Sequence, residues 1–298
     1  MGGSGAGVER TLTVPYRSPF RYPGGKTWLV PRIRLWLHRM QTKPNILIEP
    51  FAGGAIVGLT VAFERLADLV ILVEYDDAVA SVWQTLINSD HGQGQWLAEQ
   101  MSSFVLTEAS IQDALSRVET TLENTALQTI LHNRTSHGGR LSPGSGRLKR
   151  GESDKGLGSR WYPETLRKRM SDIILIKERL EFIHGDGFDV LNTYAAHNNA
   201  VFFIDPPYSV AGKRAGTRLY RHNELDHGRL FEVVSNLNGD FLMTYDNIEE
   251  VVALADQHNL DTELVAMRST HHNQLTELLI GRDLGWLRQS DAPTLFTP

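Results

Sequence analysis

The sequence predicts an α/β protein built on an open, mostly parallel sheet whose ligands meet the carboxyl ends of its central strands. Three observations predict it. Residues 45–48 (NILI) form a short apolar strand that runs into the glycine-rich turn EPFAGG (49–54) and then a helical stripe. Residues 69–73 form a second apolar strand that ends in Glu74. Residues 200–204 (AVFFI) are apolar throughout, as a strand buried on both faces is, and they stop at Asp205, Pro206, Pro207 and Tyr208. Two prolines cannot continue a ladder, so Asp205 is expected at the carboxyl end of a central strand.

Composition narrows the function. The chain has 298 residues, 41% hydrophobic and 22% charged, ordinary values for a globular protein, and no apolar run long enough to span a membrane. The first ten residues (MGGSGAGVER) lack the apolar core of a signal peptide, and residues 1–17 are expected to be a flexible tail. The absence of cysteine excludes disulfides, cysteine-ligated zinc and a thiolate nucleophile, and fits a cytoplasmic location. Net charge is −5, yet residues 132–170 hold ten basic residues against three acidic, a local balance of +7. Such a stretch is the footprint expected for phosphate contact.

In chain order, residues 18–26 (SPFRYPGGK) precede a helical stripe of Leu29, Ile33, Trp36, Leu37 and Met40. The Gly-Gly-Lys turn could cradle a phosphate, although its glycine spacing is not that of a P-loop. After the 49–54 turn, Ile56, Leu59, Phe63 and Leu66 make the next stripe. Glu74 lies about twenty residues past the glycine pair, the distance at which an acid meets ribose hydroxyls. A solvated strand end is the alternative. From about 88 to 171 the α/β pattern is interrupted. Ile111, Leu115, Val118 and Leu122 predict a helix, as do Leu127, Ile130 and Leu131, and residues 138–159 read as a basic loop or irregular hairpin. Leu166, Met170, Ile173, Ile174 and Leu180 continue a helical stripe. Strands follow at 181–184 with Asp186 in the turn after it, at 239–245, 263–267 and 274–280, and Leu230, Val234 and Leu237 mark a helix.

The turn after residue 204 has its own chemistry. The Asp205 carboxylate and the Pro206 carbonyl can accept the two hydrogens of an exocyclic amine, with Pro207 keeping the turn rigid, and the Tyr208 ring can stack on the base that carries the amine. A tight turn with a surface tyrosine is the alternative.

Taken together, SPFRYPGGK (18–26), IEPFAGG (48–54), DPPY (205–208) and TELLI (276–280) resemble, in order, the motifs of the Dam-type DNA adenine-N6 methyltransferases, the D12 class. HNR (132–134) and RWYPETL (160–166) resemble parts of that family's target-recognition segment. The resemblance implies a seven-stranded Rossmann-like sheet of the class I methyltransferase kind, mostly parallel with the last strand antiparallel, and an inserted, mainly helical target-recognition domain. It divides the chain into a catalytic domain at 18–88 and 172–298 and an insert at 89–171. It implies S-adenosylmethionine as methyl donor, contacted by Tyr22, Gly24, Gly25, Lys26, Pro50, Phe51, Ala52, Gly53, Gly54, Glu74, Asp186 and Asp205. Asp205, Pro206, Pro207 and Tyr208 would form the catalytic motif. Double-stranded DNA would be the substrate, its target base flipped out of the duplex. Asn133, Arg134, Arg140, Arg147, Lys149, Arg150 and Arg160 are the candidate DNA contacts. No metal is required.

Two departures stand out. Glu74 replaces the Asp of many members, and where the family's recognition hairpin often carries an Asn, an aromatic and a Pro, this stretch is rich in Gly and Ser with Arg147, Lys149 and Arg150. The target sequence is therefore not readable. N4 methylation of cytosine would use the same amine chemistry. Methylation of a protein glutamine or an RNA base, and a silent DNA-binding module, are more distant alternatives. An associated restriction endonuclease or defence system is compatible with the resemblance, and the residues do not decide it.

Overall fold

A computed structural model describes residues 14–21, 25–89, 92–141, 146, 148, 156–207, 225–268 and 274–289. Seven strands form one sheet: β1 (Ile46–Glu49), β2 (Leu69–Glu74), β3 (Leu180–His184), β4 (Ala200–Ile204), β5 (Asp240–Asp246), β6 (Asp261–Arg268) and β7 (Gln274–Gly281). Their spatial order is β3-β2-β1-β4-β5-β7-β6. The first five pair in parallel, whereas β7 runs antiparallel to both β5 and β6. The strand order reverses between β1 and β4, and the carboxyl ends of those two strands therefore flank the crevice where open α/β sheets bind ligands.

Helices cover both faces. One apolar cluster joins Leu47, Val70, Leu72, Val201, Phe203 and Leu279 of the sheet to α1 (Val30–His38), α2 (Ile56–Glu64) and α3 (Asp77–Trp83) through Ile33, Val57 and Trp83. Between β2 and β3 the chain continues through α4 (Gln93–Ser103), α5 (Glu108–Ser116), α6 (Leu122–Thr135) and α7 (Pro163–Ile174). Their Leu97, Met101, Ile130 and Met170 belong to that same cluster. The segment expected as a domain at 89–171 is thus not set apart by a core of its own. The second cluster packs Ile71, Phe202, Ile204 and Met243 against α8 (Gly187–Tyr194), α9 (His227–Ser235) and α10 (Glu249–Gln257). A short α11 (Gly285–Gln289) follows β7.

Several expectations need correction. The helix expected through Ile111 and Leu122 is two helices. Arg117 is extended after α5, Val118 is 91% exposed, and the Thr121 hydroxyl accepts from the Asn124 amide to start α6. Leu180 is the first residue of β3 and no part of a helical stripe. The described part of the expected tail, residues 14–17, is docked. The Arg17 guanidinium meets Glu64 at 3.0 Å and stacks over Phe63, and the Tyr16 hydroxyl donates to the Phe20 carbonyl. Two backbone bonds, Leu148 N–H to the Thr135 carbonyl and His137 N–H to the Gly146 carbonyl, join residues 146 and 148 to the end of α6.

Helix α2 begins without a side-chain cap, because its N-cap is Ala55, held in the left-handed region at φ 50°. The Glu49 side chain supplies what is missing: its Oε2 accepts the Gly58 amide at 2.7 Å. The approach is so close that a Cβ on Gly58 would lie 2.5 Å from Glu49 Oε2 and from Leu72 Cδ2. Helix propensity favours Ala over Gly by about 1 kcal/mol, whereas forcing a methyl into a filled core costs about 1–3 kcal/mol. Gly58→Ala is therefore expected to lower the free energy of unfolding in urea, despite the better helix former. A more stable variant would show that this packing is looser than described.

Candidate active site

Side chains alternate across a strand, so residues two apart share a face. Glu49 lies two past Leu47, Asp205 two past Phe203, Thr244 two past Leu242, and Glu277 two before Leu279. All four apolar neighbours belong to the first cluster. One face of the sheet therefore carries a row of four polar side chains across β1, β4, β5 and β7, at the edge where the parallel strands end. Lys26, in a single 3-10 turn (Lys26–Leu29) leading into α1, reaches down onto this row. Its ammonium lies 3.0 Å from Asp205 Oδ1 and 2.6 Å from Glu277 Oε1. Thr244 Oγ1 donates to the same Asp205 Oδ1 at 2.8 Å. The Lys26 and Glu277 side chains are each 6% exposed, against 25% for Asp205, which faces the crevice.

The charges follow from this packing. Burial pulls the Lys26 ammonium toward neutrality, but the carboxylates of Asp205 and Glu277 outweigh it and leave the lysine above its ordinary value. Glu49 is held well above the carboxylate range. Burial is the main cause, the Gly58 amide opposes it, and the Asp205 charge adds to it. Its carboxyl thus holds a proton more tightly than an ordinary glutamate, which disfavours a second negative charge beside Asp205. On the opposite face, burial and then Asp205 raise the Tyr245 phenol, whose oxygen sits 2.9 Å from His227 Nδ1.

Beside the row lies the glycine turn. Three backbone amides converge on Glu74: Gly53 on Oε2 at 2.9 Å, Tyr75 and Asp76 on Oε1 at 3.0 and 2.9 Å. The Gly53 carbonyl accepts from Trp83 Nε1 at 2.9 Å, so this residue, at φ 47°, is held from both sides. The Glu74 side chain is half-buried. Burial raises it, the three amides only partly offset this, and it is pushed up to about 7. Asp186 caps α8 through the Phe188 amide, and Gly185 N–H donates to the Glu74 carbonyl, so Asp186 and Glu74 are close. The Phe51 and Phe188 rings meet edge to face at 6.5 Å beside them.

The structure thus brings Lys26, residues 50–54, Glu74, Asp186, Asp205, Pro206 and Pro207 to one edge of the sheet, with Gly25 exposed just before Lys26. Tyr22, Gly24, Arg147, Lys149, Arg150 and Tyr208 lie outside the described residues. Two expected DNA contacts are built into the interior instead. Asn133 is fully buried; it accepts from the Arg21 amide at 2.8 Å and donates to the carbonyls of Arg21 and Gly139. Arg134 is 6% exposed, donates to the Pro19 carbonyl, and is pulled down to about 10 chiefly by burial. Arg140 and Arg160 are half-buried. Part of the +7 balance is also spoken for, since Arg167 pairs with Glu164, Lys168 with Asp172, and Arg169 lies over the Tyr16 ring.

Glu49, Thr244 and Glu277 were not among the residues the sequence singled out. Glu49 and Glu277 do stand inside the quoted motifs IEPFAGG and TELLI, where an acid in an otherwise apolar strand is the available signal. Thr244 carries none. Among the described residues no helix is long and apolar enough to cross a membrane, and no group of three or more His, Asp or Glu is arranged to hold a metal ion.

Residues 22–134 match the family model of the D12 class N6 adenine-specific DNA methyltransferases, which bears out the resemblance over that stretch. The match includes the glycine turn and Glu74 and ends before Asp205. No curated protein matches the chain. Among solved structures, the rRNA methyltransferase aviRa from Streptomyces viridochromogenes is 13% identical, covers 88% of this chain and 86% of its own, and has a TM-score of 0.40. For a precorrin-6y C5,15-methyltransferase from Geobacter metallireducens the identity is 7%, the shares 85% and 86%, and the TM-score 0.35. A precorrin 8W decarboxylase from Methanobacterium thermoautotrophicum gives 10%, 88% and 94%, with a TM-score of 0.36.

A carboxyl raised on folding binds its proton more tightly in the native state, so it withdraws stability as pH rises. For Glu74 that loss begins near the ordinary 4.5 and is complete once the pH passes about 7. Denaturation of Glu74→Gln at pH 5 and pH 8 is expected to show a smaller fall in stability than the parent. An unchanged difference would mean that Glu74 does not titrate there.

Proposed function

We propose that the protein transfers a methyl group from S-adenosylmethionine to the N6 amine of adenine in DNA. The observation that carries this reading is Asp205, held on one oxygen by Lys26 and Thr244 at the end of β4, beside the glycine turn and Glu74. The family match over 22–134 supports it.

The residues fit the donor in their chemistry. Ribose hydroxyls are hydrogen-bond donors, and Glu74 is an acceptor whose Oε2 takes only one of the three amide bonds. Asp186 and the Phe51–Phe188 pair provide a polar cap and an aromatic wall next to it. When bound, S-adenosylmethionine supplies an electrophilic methyl on a sulfonium whose thioether is a good leaving group.

The chain's own contribution is alignment and electrostatics. The N6 lone pair of adenine is delocalised into the ring. In this reading Asp205 and the Pro206 carbonyl accept the two N6 hydrogens and draw that lone pair onto nitrogen, toward the methyl. Lys26 and Thr244 have already set the angle of the Asp205 carboxylate, so little reorganisation remains for the reaction itself. A duplex hides N6, so the base must leave the stack, and Tyr208 is assigned the ring on which it rests.

The decisive experiment is incubation of DNA with methyl-labelled donor followed by nucleoside analysis. N6-methyladenine is expected; N4-methylcytosine or no methylated base would refute the reading. In single-turnover assays Asp205→Ala should lose on the order of a hundredfold in rate or more, the loss seen when a preorganised group is removed. Near-parental methylation by a folded Asp205→Ala would take this residue out of the active site.

A hydroxyl donates better to a carboxylate than to its acid, so donor binding should release a proton from Glu74. Affinity measured by calorimetry is then expected to strengthen as pH rises through about 7 and to level off above it. Glu74→Ala should weaken binding by about 1–3 kcal/mol and flatten that profile. A profile flat in the parent would remove Glu74 from the ribose.

A further inference from the structure

We propose that Glu277 is a positioning residue for the methyl transfer: by sharing the Lys26 ammonium it lets that lysine anchor Asp205 without neutralising it. The inference rests on the reading above and adds a residue to it.

The geometry is that of a divided cation. Asp205 follows β4 and Glu277 lies on β7, with β5 between them, and Lys26 bridges the two from above. The ammonium sits nearer Glu277, at 2.6 Å, than Asp205, at 3.0 Å. The contacts from Lys26 and Thr244 both fall on Asp205 Oδ1 and restrain the carboxylate's rotation about its Cβ–Cγ bond. In a poorly hydrated site a lysine with a single anion would close on it as a tight pair. That pairing would withdraw the electron density Asp205 needs as an acceptor for N6–H. A second anion on the far side holds the lysine back. Glu277 is almost fully buried and is engaged by Lys26, so it acts through Lys26 and not on the substrate. Its side chain is fixed by the alternation that puts it on the same face as Thr244, two residues from Leu279.

The test uses the full chain with Glu277→Gln, which keeps the shape and removes the charge, and Glu277→Asp, which keeps the charge and withdraws it by one methylene. Glu277→Gln is expected to slow single-turnover methylation by tenfold to on the order of a hundredfold, while the affinities for donor and DNA stay at the parent's values. Glu277→Asp should recover part of that rate. Independently of activity, Lys26 should titrate at lower pH in Glu277→Gln, followed by NMR of 13C-ε-labelled lysine, because one of its two carboxylate partners is gone while its burial remains. Circular dichroism and thermal melts check folding. If Glu277→Gln fails to fold, Glu277→Asp decides, its expected rate lying below the parent's with binding intact.

A folded Glu277→Gln with the parent's rate overturns the proposal, as does a loss confined to donor affinity. An unmoved Lys26 titration would show that Glu277 does not hold the ammonium. A parent that methylates no base would refute the methyl-transfer reading, and the lysine titration would then still report on the pairing.

Discussion

The ammonium of Lys26 is buried between the carboxylates of Asp205 and Glu277, and the other polar groups of the site are arranged around that charge. Removing an ammonium from water costs several kcal/mol unless anions accompany it. Here two anions come from strands that are not neighbours, so the lysine ties β4 to β7 across β5. Thr244, on the strand between, fills the gap beneath it. Removing either carboxylate would leave a buried cation half compensated. Removing the lysine would leave two anions facing each other.

The same economy explains Glu49. An ionised carboxylate one strand from Asp205 would repel it, yet α2 needs an acceptor for its uncapped first turn. Burial, which favours the neutral form of Glu49, works toward both conditions, since a carboxyl oxygen accepts the Gly58 amide in either form. Gly58, the one residue of α2 without a Cβ, is what lets that oxygen in. The site therefore separates its carboxyl groups by role: Glu49 supports a helix start, while Glu277 and Asp205 share the lysine, one buried and one more exposed.

How much of this was legible in the sequence depends on strand direction. Asp205 and Glu74 were readable because a parallel strand that ends in an acid delivers it to the ligand edge. Glu277 was not, because it lies in the first half of its strand. Only the antiparallel course of β7, a matter of topology, carries a strand's beginning to that same edge. The polar row across four strands is likewise a product of register, which a one-dimensional pattern does not contain. The basic stretch was legible only in part, for another reason. Counting charges treats every arginine as solvated, whereas Arg134 spends its guanidinium on the Pro19 carbonyl and Asn133 its amide on Arg21 and Gly139. The strand and glycine-turn assignments held because buried parallel strands and tight backbone approach leave marks within a few residues of chain.

Asn133 grips both the amide and the carbonyl of Arg21, five residues before Lys26, from the end of α6. This clamp, and the core that α4, α6 and α7 share with the sheet, bear on how such a protein can diversify. An inserted segment that were a detachable cassette could be exchanged between relatives by recombination at its ends. Here a cut at 89 and 171 would remove a helix that anchors the stretch of chain leading to the buried lysine, so this segment could not be exchanged at its ends with the rest of the fold left intact.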